Sequence, residues 1–366
     1  MHSILVLGGY GFFGGRICAA LAHDNGIKLL IGGRDLHKAR AKAEALSLEA
    51  THAISIDATA ADLADQLERL GVNTVIHTAG PFQGQNYAVA QAAIKAGANY
   101  IDLADGRGFV TGIAALDEAA RKRGVLVTSG ASSLPSLSSA VVDRYLPRFL
   151  QLQEIRHGIG SGARTPGLAT MAGVFGYCGK PFSRLEQGEW KVTFGWLDAC
   201  THDFPAPVGR RWLGSCDVPD LDLFPERYPG VRTVTFHAGF ASTLGHFVVW
   251  AGAQLVRAGL LKSLSAWVAP LARISTWMEP LLSDKGGMFV TLRGLDHDGN
   301  GQELNWHLLA AQHHGPHIPC GAAIALARKL ARGEALPIGA MPCMGLISVE
   351  EYLAALDGLA VWEVPA

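Results

Sequence analysis

The stretch Ile4-Leu-Val-Leu-Gly-Gly-Tyr-Gly-Phe-Phe-Gly-Gly-Arg16 decides how the chain is read. Ile4–Leu7 reads as a short buried strand, and Gly9, Gly11 and Gly14 follow it in the G-x-G-x-x-G spacing. A helical pattern carrying Ile17, Ala20 and Leu21 comes next. In that strand–turn–helix setting each glycine has its own task. The first permits a tight turn, the second lets a pyrophosphate approach the backbone, and the third lets helix pack on strand. The helix N-terminus then offers unpaired amides and a positive dipole end to the phosphates. Tyr10, Phe12 and Phe13 fill the variable places, so Gly9–Gly14 is read whole as a cofactor-binding segment. A chain with 44 glycines produces this spacing by chance, and its context is what makes it informative.

That context continues through the first 150 residues. Apolar runs at Ile4–Leu7, Lys28–Ile31, Ala53–Ile56, Thr74–His77, Tyr100–Leu103 and Val125–Thr128 read as strands. Helical patterns fill most of the gaps, at Leu36–Leu48, Ala60–Leu70, Tyr87–Ala96 and Ile113–Arg123. Six strands alternating with helices predict a doubly wound parallel sheet, a Rossmann fold, with ligands at the carboxyl ends of its strands. From about 150 to 310 the pattern changes. Leu152–Ile159, Trp190–Trp196, Val231–Ala238, Met288–Leu295 and Glu303–Ala310 read as strands without regular helices between them. The last two flank the turn-rich Asp296–Gly301 as in a hairpin. This predicts a second α+β domain with an open, largely antiparallel sheet, on which helices at Thr243–Leu260 and Leu264–Leu282 pack. The expected division is 1–148 for the Rossmann domain, 149–315 for a substrate and dimerisation domain, and 316–366 for helices returning to the first domain.

Composition bounds the function. Of 366 residues 49% are hydrophobic and the net charge is −1, so the chain is globular and has no basic stripe for nucleic acid. Six scattered cysteines form no C-x-x-C pair and suit a reducing compartment. Met1-His-Ser carries no basic leader before the first strand, which points to the cytoplasm. Two metal readings fail on spacing. Asp296-x-Asp298-x-Asn300-Gly301 begins like a calcium loop but has His307 where a bidentate Glu belongs. His313, His314, His317 and Cys320 are interrupted by Pro316 and Pro319 and fit no zinc pattern.

The candidate site residues sit at predicted strand ends. Arg34, after Gly33, would clamp a ribose 2′-phosphate and favour NADP, unless Asp35 points inward in its place and favours NAD. Asp57 would meet the adenine edge or cap the next helix. In Ala79-Gly-Pro-Phe82, the small Ala79 and Gly80 allow close approach to the cofactor ribose, Pro81 stiffens the loop, and Phe82 borders the nicotinamide. Hydride transfer to an imine or carbonyl also wants a proton donor and an anion clamp. Tyr87 and Asp105 are candidates for the first and Arg107 for the second. Asp102, Ser132 and Ser133 gather nearby, either as site groups or as helix caps.

These segments resemble the saccharopine dehydrogenase-like NADP-binding family of oxidoreductases. The resemblance rests on Gly8-Gly-Tyr-Gly-Phe-Phe-Gly-Gly15, Gly33-Arg34 and Ala79-Gly-Pro-Phe-Gln-Gly84. It runs on through Ala93–Asp105 and Gly130-Ala-Ser-Ser-Leu-Pro135. Beyond about residue 145 it loosens to Cys216-Asp-Val-Pro-Asp220 and Gly286-Gly-Met288. The resemblance implies a Rossmann domain, a second domain carrying the substrate site, NADP(H) or NAD(H), and a homodimer. It does not imply saccharopine, since members act in amino-acid, polyamine and lipid-related chemistry. The expected activity is hydride transfer to or from a C=N, C=O or activated C=C group of a small carboxylate-bearing or lipid-related molecule. Two alternatives stand beside it: an NADP(H) sensor without turnover, and a peripheral membrane reductase of lipid intermediates. The apolar Gly239–Val256, followed by Trp267 and Trp277 with Lys262 and Arg273, reads first as a buried or dimer-forming helix pair and second as a lipid-surface attachment.

Overall fold

A computed structural model describes residues 1–163 and 167–366. The chain divides into two compact units, Met1–Leu137 with Pro319–Leu356, and Ser138–Ile318 with Asp357–Ala366.

The first unit is an alternation of strands and helices. In chain order these are β1 (His2–Leu7), α1 (Gly14–Leu21), β2 (Ile27–Gly33), α2 (Leu36–Ala45), β3 (Ala53–Ser55), α3 (Leu63–Arg69), β4 (Thr74–His77), α4 (Ala88–Ala96), β5 (Asn99–Asp102), α5 (Arg107–Gly112), α6 (Asp117–Arg123) and β6 (Leu126–Ser129). All pairings are parallel, in the order β3-β2-β1-β4-β5-β6. Ile4, Val75, Ile76 and Ile101 are fully buried, as strands covered on both faces require. The order reverses between β1 and β4, which opens a crevice at their carboxyl ends.

The second unit begins with α7 (Ser138–Tyr145), β7 (Gln151–Gly160), α8 (Leu168–Tyr177), β8 (Pro181–Glu186), β9 (Glu189–Phe194), β10 (Cys200–Phe204) and β11 (Gly209–Ser215). It continues with α9 (Asp220–Arg227), β12 (Thr233–Gly239), α10 (Thr243–Arg257), α11 (Val268–Met278), β13 (Gly286–Leu295) and β14 (Gly301–Ala310). Its seven-stranded sheet runs β10-β11-β12-β7-β13-β14-β16, where β16 is Val361–Val364. Only β12 with β7 is parallel, so the sheet is largely antiparallel as the pattern predicts. At its centre Asp220 Oδ1 accepts from Ser138 Oγ at 2.5 Å and faces His157 Nε2 at 3.1 Å, all three without solvent exposure. Phe224 and Phe236 lie against the imidazole. This explains a buried acid at the end of Cys216–Asp220: it pins α7 and α9 to β7.

Several boundaries differ from the sequence pattern. The Leu264–Leu282 helix is α11 with a 3-10 turn at each end, because Pro280 stops the α-helix after Met278. The Ile113–Arg123 helix opens as a 3-10 turn before α6. The pattern missed the β10–β11 pair and the four-residue strand β15 (Gly339–Pro342), which adds in parallel beside β6. Between β14 and β15 runs α12 (Gly321–Ala331), and α13 (Val349–Ala354) follows β15. Helix α12 packs on α1, where Arg328 Nε meets Asp24 at 2.7 Å.

The tightest joint of the first unit is the turn after β1. A methyl group on Gly14 would lie 2.2 Å from the Gly8 carbonyl oxygen and 2.6 Å from Thr78 Oγ1. Backbone cannot rotate aside as a side chain can. Gly14→Ala is therefore expected to lower unfolding stability by about 1–3 kcal/mol, read as an earlier urea midpoint at unchanged slope. An unmoved midpoint would show that the turn relaxes around the methyl.

Candidate functional site

The Gly9–Gly14 turn separates glycines needed by the fold from one that faces open space. A Cβ on Gly9 would strike Ile31 Cγ2 at 2.9 Å and Cys18 Sγ at 3.1 Å, while one on Gly11 would meet only the Gly8 carbonyl at 3.0 Å. Gly11 is exposed, so a ligand can approach its backbone there. Helix α1 starts directly after it, with Phe13 at the N-cap making no side-chain cap and no acid in the first turn. Those first-turn amides suit a phosphate. The residues thus fit the pyrophosphate of a dinucleotide. Arg16, which the sequence reading passed over, adds a cation here: its guanidinium stacks 4.1 Å from the Phe12 ring centre and donates to the Phe12 carbonyl.

Tyr10 joins this turn to the end of β2. Its ring lies where a Cβ on Gly33 would be, 2.5 Å from the nearest ring carbon, and its hydroxyl accepts from Asp35 N at 3.1 Å. Gly33 is therefore required by Tyr10. Asp35 turns to the helix beyond: its side chain caps α2 by accepting from Lys38 N at 3.1 Å, and that bond foremost holds its carboxyl below the usual range. Arg34 stays exposed at the strand end. Asp57, beyond β3, accepts from Thr59 N at 2.9 Å and Thr59 Oγ1 at 2.8 Å. Those bonds lower its pKa most, with the Arg34 charge adding to them. Helix α3 is begun by Asp62 instead.

The loop after β4 lies beside the fingerprint, with Thr78 Oγ1 donating to the Leu7 carbonyl at 2.8 Å. Gln85 Nε2 donates to the carbonyls of Ala79 at 3.0 Å and Pro81 at 2.7 Å, which fixes Ala79–Phe82 as a rigid loop. Phe82 turns inward, its ring edge-on to His77 and tilted over Phe109. Tyr87 is likewise engaged. Its hydroxyl donates to the Phe109 carbonyl at 2.8 Å, its ring packs on Phe109, and burial foremost raises its pKa.

Asp102 ends β5 with no solvent exposure. Its Oδ1 accepts from Ala104 N at 2.9 Å, Gly130 N at 2.9 Å and Ser129 Oγ at 2.8 Å. One carboxylate thus holds the loops after β5 and β6 in place. Burial lifts its pKa to about 6 even though those bonds pull the other way. Asp105 and Arg107 follow in the loop that Asp102 anchors. Asp105 is half-buried, receives Gln83 Nε2 on Oδ1 at 3.1 Å, and has its pKa raised by burial. Ser132 is half-buried and Ser133 buried.

The second unit offers a different concavity on its open sheet face. A cavity of about 820 Å³ is lined by Arg156, Arg184, His202, His237, Arg293 and His307 among others. Its charges are largely matched internally: Arg184 meets Glu186 at 2.5 Å and Asp198 at 2.6 Å, and Arg293 meets Glu303 at 2.5 Å. Elsewhere, the Asp296 carboxylate closes the β13–β14 hairpin by accepting from Asp298 N and Asn300 N. His314 Nδ1 accepts from Ala360 N, and the Cys320 thiol lies buried against the Phe13 carbonyl.

Residues 4–128 match the family described as Saccharopine dehydrogenase NADP binding domain. Among solved structures the chain is similar to saccharopine dehydrogenase (L-Glu forming) from Saccharomyces cerevisiae, at 13% identity and TM-score 0.67 over 100% of both chains. It is also similar to an amine dehydrogenase from Mycobacterium smegmatis, at 11% identity and TM-score 0.50 over 96% of this chain and 95% of the other. At such identities the shared property is the fold. No curated protein matches the chain.

The Asp102 proton gives a pH test. Its folded-state pKa of about 6 exceeds the ordinary 3.8, so the folded protein holds that proton more tightly than the unfolded one. The resulting stability is full below about pH 4 and is lost as pH rises through about 6. Asp102→Asn keeps an acceptor at Oδ1 but cannot ionise. Between pH 4 and pH 7.5 the wild type should therefore lose roughly 2–3 kcal/mol relative to Asp102→Asn in paired urea titrations. A pH-independent difference would mean that Asp102 is not the titrating group.

Proposed function

We propose that this chain, a member of the saccharopine dehydrogenase-like NADP-binding family and an NAD(P)-dependent oxidoreductase, holds NADP(H) across the β1–β4 crevice and uses Asp105 as its proton donor. The carrying observation is the local division of labour after β2, where the Asp35 side chain caps α2 and Arg34 is left exposed. Gly11 and the first turn of α1 would receive the pyrophosphate, with Arg16 beside them. Arg34 would grip the 2′-phosphate, because a guanidinium offers paired donors to a dianion and a carboxylate would repel it. Asp57 would border the adenosine end. Ala79, Gly80 and Pro81 would present a fixed backbone to the nicotinamide ribose, with Phe82 bracing the loop from within.

When bound, the nicotinamide supplies the hydride; the protein supplies orientation and a proton path. The reacting group would be a C=N, C=O or activated C=C. Asp105 suits the proton step because it is partly accessible, positioned by Gln83, and has its pKa raised by burial. Tyr87 suits it less, since its hydroxyl already donates to Phe109 and its proton is harder to remove. Arg107, two residues after Asp105 at the start of α5, would pair with a carboxylate or other anionic group of the substrate.

Two measurements test this reading. Arg34→Ala is expected to weaken NADPH binding about 10–100-fold and leave NADH within about threefold, in the range of losing a charge-assisted contact of about 1.5–3 kcal/mol. An unchanged NADPH/NADH ratio sinks the clamp. With a substrate from a panel of imines, ketones and enoyl compounds, Asp105→Asn should lower kcat about 10²–10⁴-fold while NADPH affinity holds. Tyr87→Phe should stay within a few-fold of wild type. If Tyr87→Phe carries the larger loss, the two assignments exchange.

A further inference from the structure

We infer that the cavity enclosed by α8, α10 and α11 of the second unit is a binding site for the aliphatic chain of an anionic amphiphile, a ligand of fatty-acid type. The cavity measures about 240 Å³ and is walled by residues such as Met171, Phe175, Phe240, Val249, Leu271 and Met278. Apolar cavities of roughly 150 Å³ already take up benzene, so this space holds several carbon atoms of a chain. Its three serines have partners within the protein. Ser161 Oγ donates to the Gly239 carbonyl at 3.0 Å, Ser242 Oγ accepts from Gly245 N at 2.9 Å as the cap of α10, and Ser275 is engaged as well. The wall therefore offers hydrocarbon contact and little for a polar ligand, whose buried groups would lose their water without replacement.

The mouth says where the rest of the ligand lies. Leu244, Val248 and Ile274 line the cavity and are also exposed, Leu244 by 69% and Ile274 by 53%. Trp277 and Leu281, each next in the chain to a lining residue (Met278 and Leu282), are both exposed by 76% and extend this apolar rim. Exposed apolar patches of this kind mark interaction sites. Across residues 240–283 the charges are Arg257, Lys262 and Arg273 against Glu279 alone, in a chain whose net charge is −1. Arg273 directly precedes Ile274 and is exposed. Arg257 is held over the Phe194 ring, so Arg273 is the cation beside the mouth, and a hydrocarbon-only interior next to an exposed guanidinium complements a chain with a negatively charged head. The helices cannot be spanning a membrane: among the described residues none is long and apolar enough. The site lies wholly within the second unit and does not rest on the cofactor reading.

The test uses the full-length protein and 11-(dansylamino)undecanoic acid, whose fluorescence rises in an apolar site. Saturable enhancement competed by palmitate is expected. Leu271→Trp, which fills the cavity, should weaken binding at least tenfold, and Ser275→Phe serves as a second filling variant should Leu271→Trp fail to fold. Arg273→Glu should weaken binding about three- to tenfold at low salt. NADPH affinity should be unchanged in all three, which separates failure here from failure of the cofactor site. Co-sedimentation with phosphatidylglycerol vesicles, lost in Trp277→Ser, would identify the membrane as the source of the chain; probe binding without sedimentation would identify a soluble amphiphile. No saturable enhancement, or equal affinity in wild type and both filling variants, overturns the proposal. So does a dimer that Ile274→Asp dissociates in a protein that binds no probe, since the rim would then belong to a second copy.

Discussion

The contact between the fingerprint turn and the first residue after β4 governs the first unit. Gly8 and Gly14 approach each other, and both approach Thr78, so closely that no side chain fits between them. Thr78 closes the joint by donating to the Leu7 carbonyl. This fixes two things at once. Helix α1 is drawn onto the sheet with its first-turn amides over the strand ends, and the loop after β4 is brought beside them at the point where strand order reverses. A cofactor cradle needs both. Gly8, Gly9 and Gly14 are thus packing residues first, while Gly11 is left exposed.

A second level of control is a buried carboxylate. Placing Asp102 in a fully covered position costs desolvation, which its raised pKa records, and three hydrogen bonds offset part of that cost. What the fold gains is geometric. The loops after β5 and β6 are tied to one atom, and the first of them carries Asp105 and Arg107. Asp102 thereby acts through its neighbours. Asp105, by contrast, is half-buried and held by one glutamine.

Most of the first unit was legible in the sequence because its signals are local and redundant. Apolar strands, helical spacing and glycine position agree from Ile4 to Thr128, and the family match spans almost the same residues. What stayed hidden depends on distant partners. β15 is four residues of Gly-Ala-Met-Pro and is a strand only because β6 offers it an edge. β10, Cys-Thr-His-Asp-Phe, lacks an apolar run since its sheet face is open and polar. At the end of β2 the sequence leaves Arg34 and Asp35 as alternatives, and the cap that turns Asp35 toward Lys38 depends on where α2 begins. Phe82 reads from its place after β4 as a border for the nicotinamide, and Tyr87 as a candidate proton donor. What the sequence does not show is that both rings pack on Phe109, a contact of 22 or more positions along the chain that no local pattern encodes.

The second unit shows why polarity must be judged by partners rather than by composition. Its open sheet face holds arginines, glutamates and histidines, yet the arginines meet acids of the same face, so little net charge is left to draw a ligand in. The cavity among α8, α10 and α11 has almost no polar atoms, and those it has are bonded to the protein's own backbone or engaged elsewhere. An apolar wall with satisfied serines does not bind water well, and the exposed Leu244, Val248 and Ile274 at its mouth, with Trp277 next to it, are costly to leave bare. Both costs fall when a hydrocarbon chain occupies the cavity and something apolar or interfacial covers the rim. The physical drive for occupancy is therefore stronger in the apolar cavity, for all its smaller volume, than on the charged face.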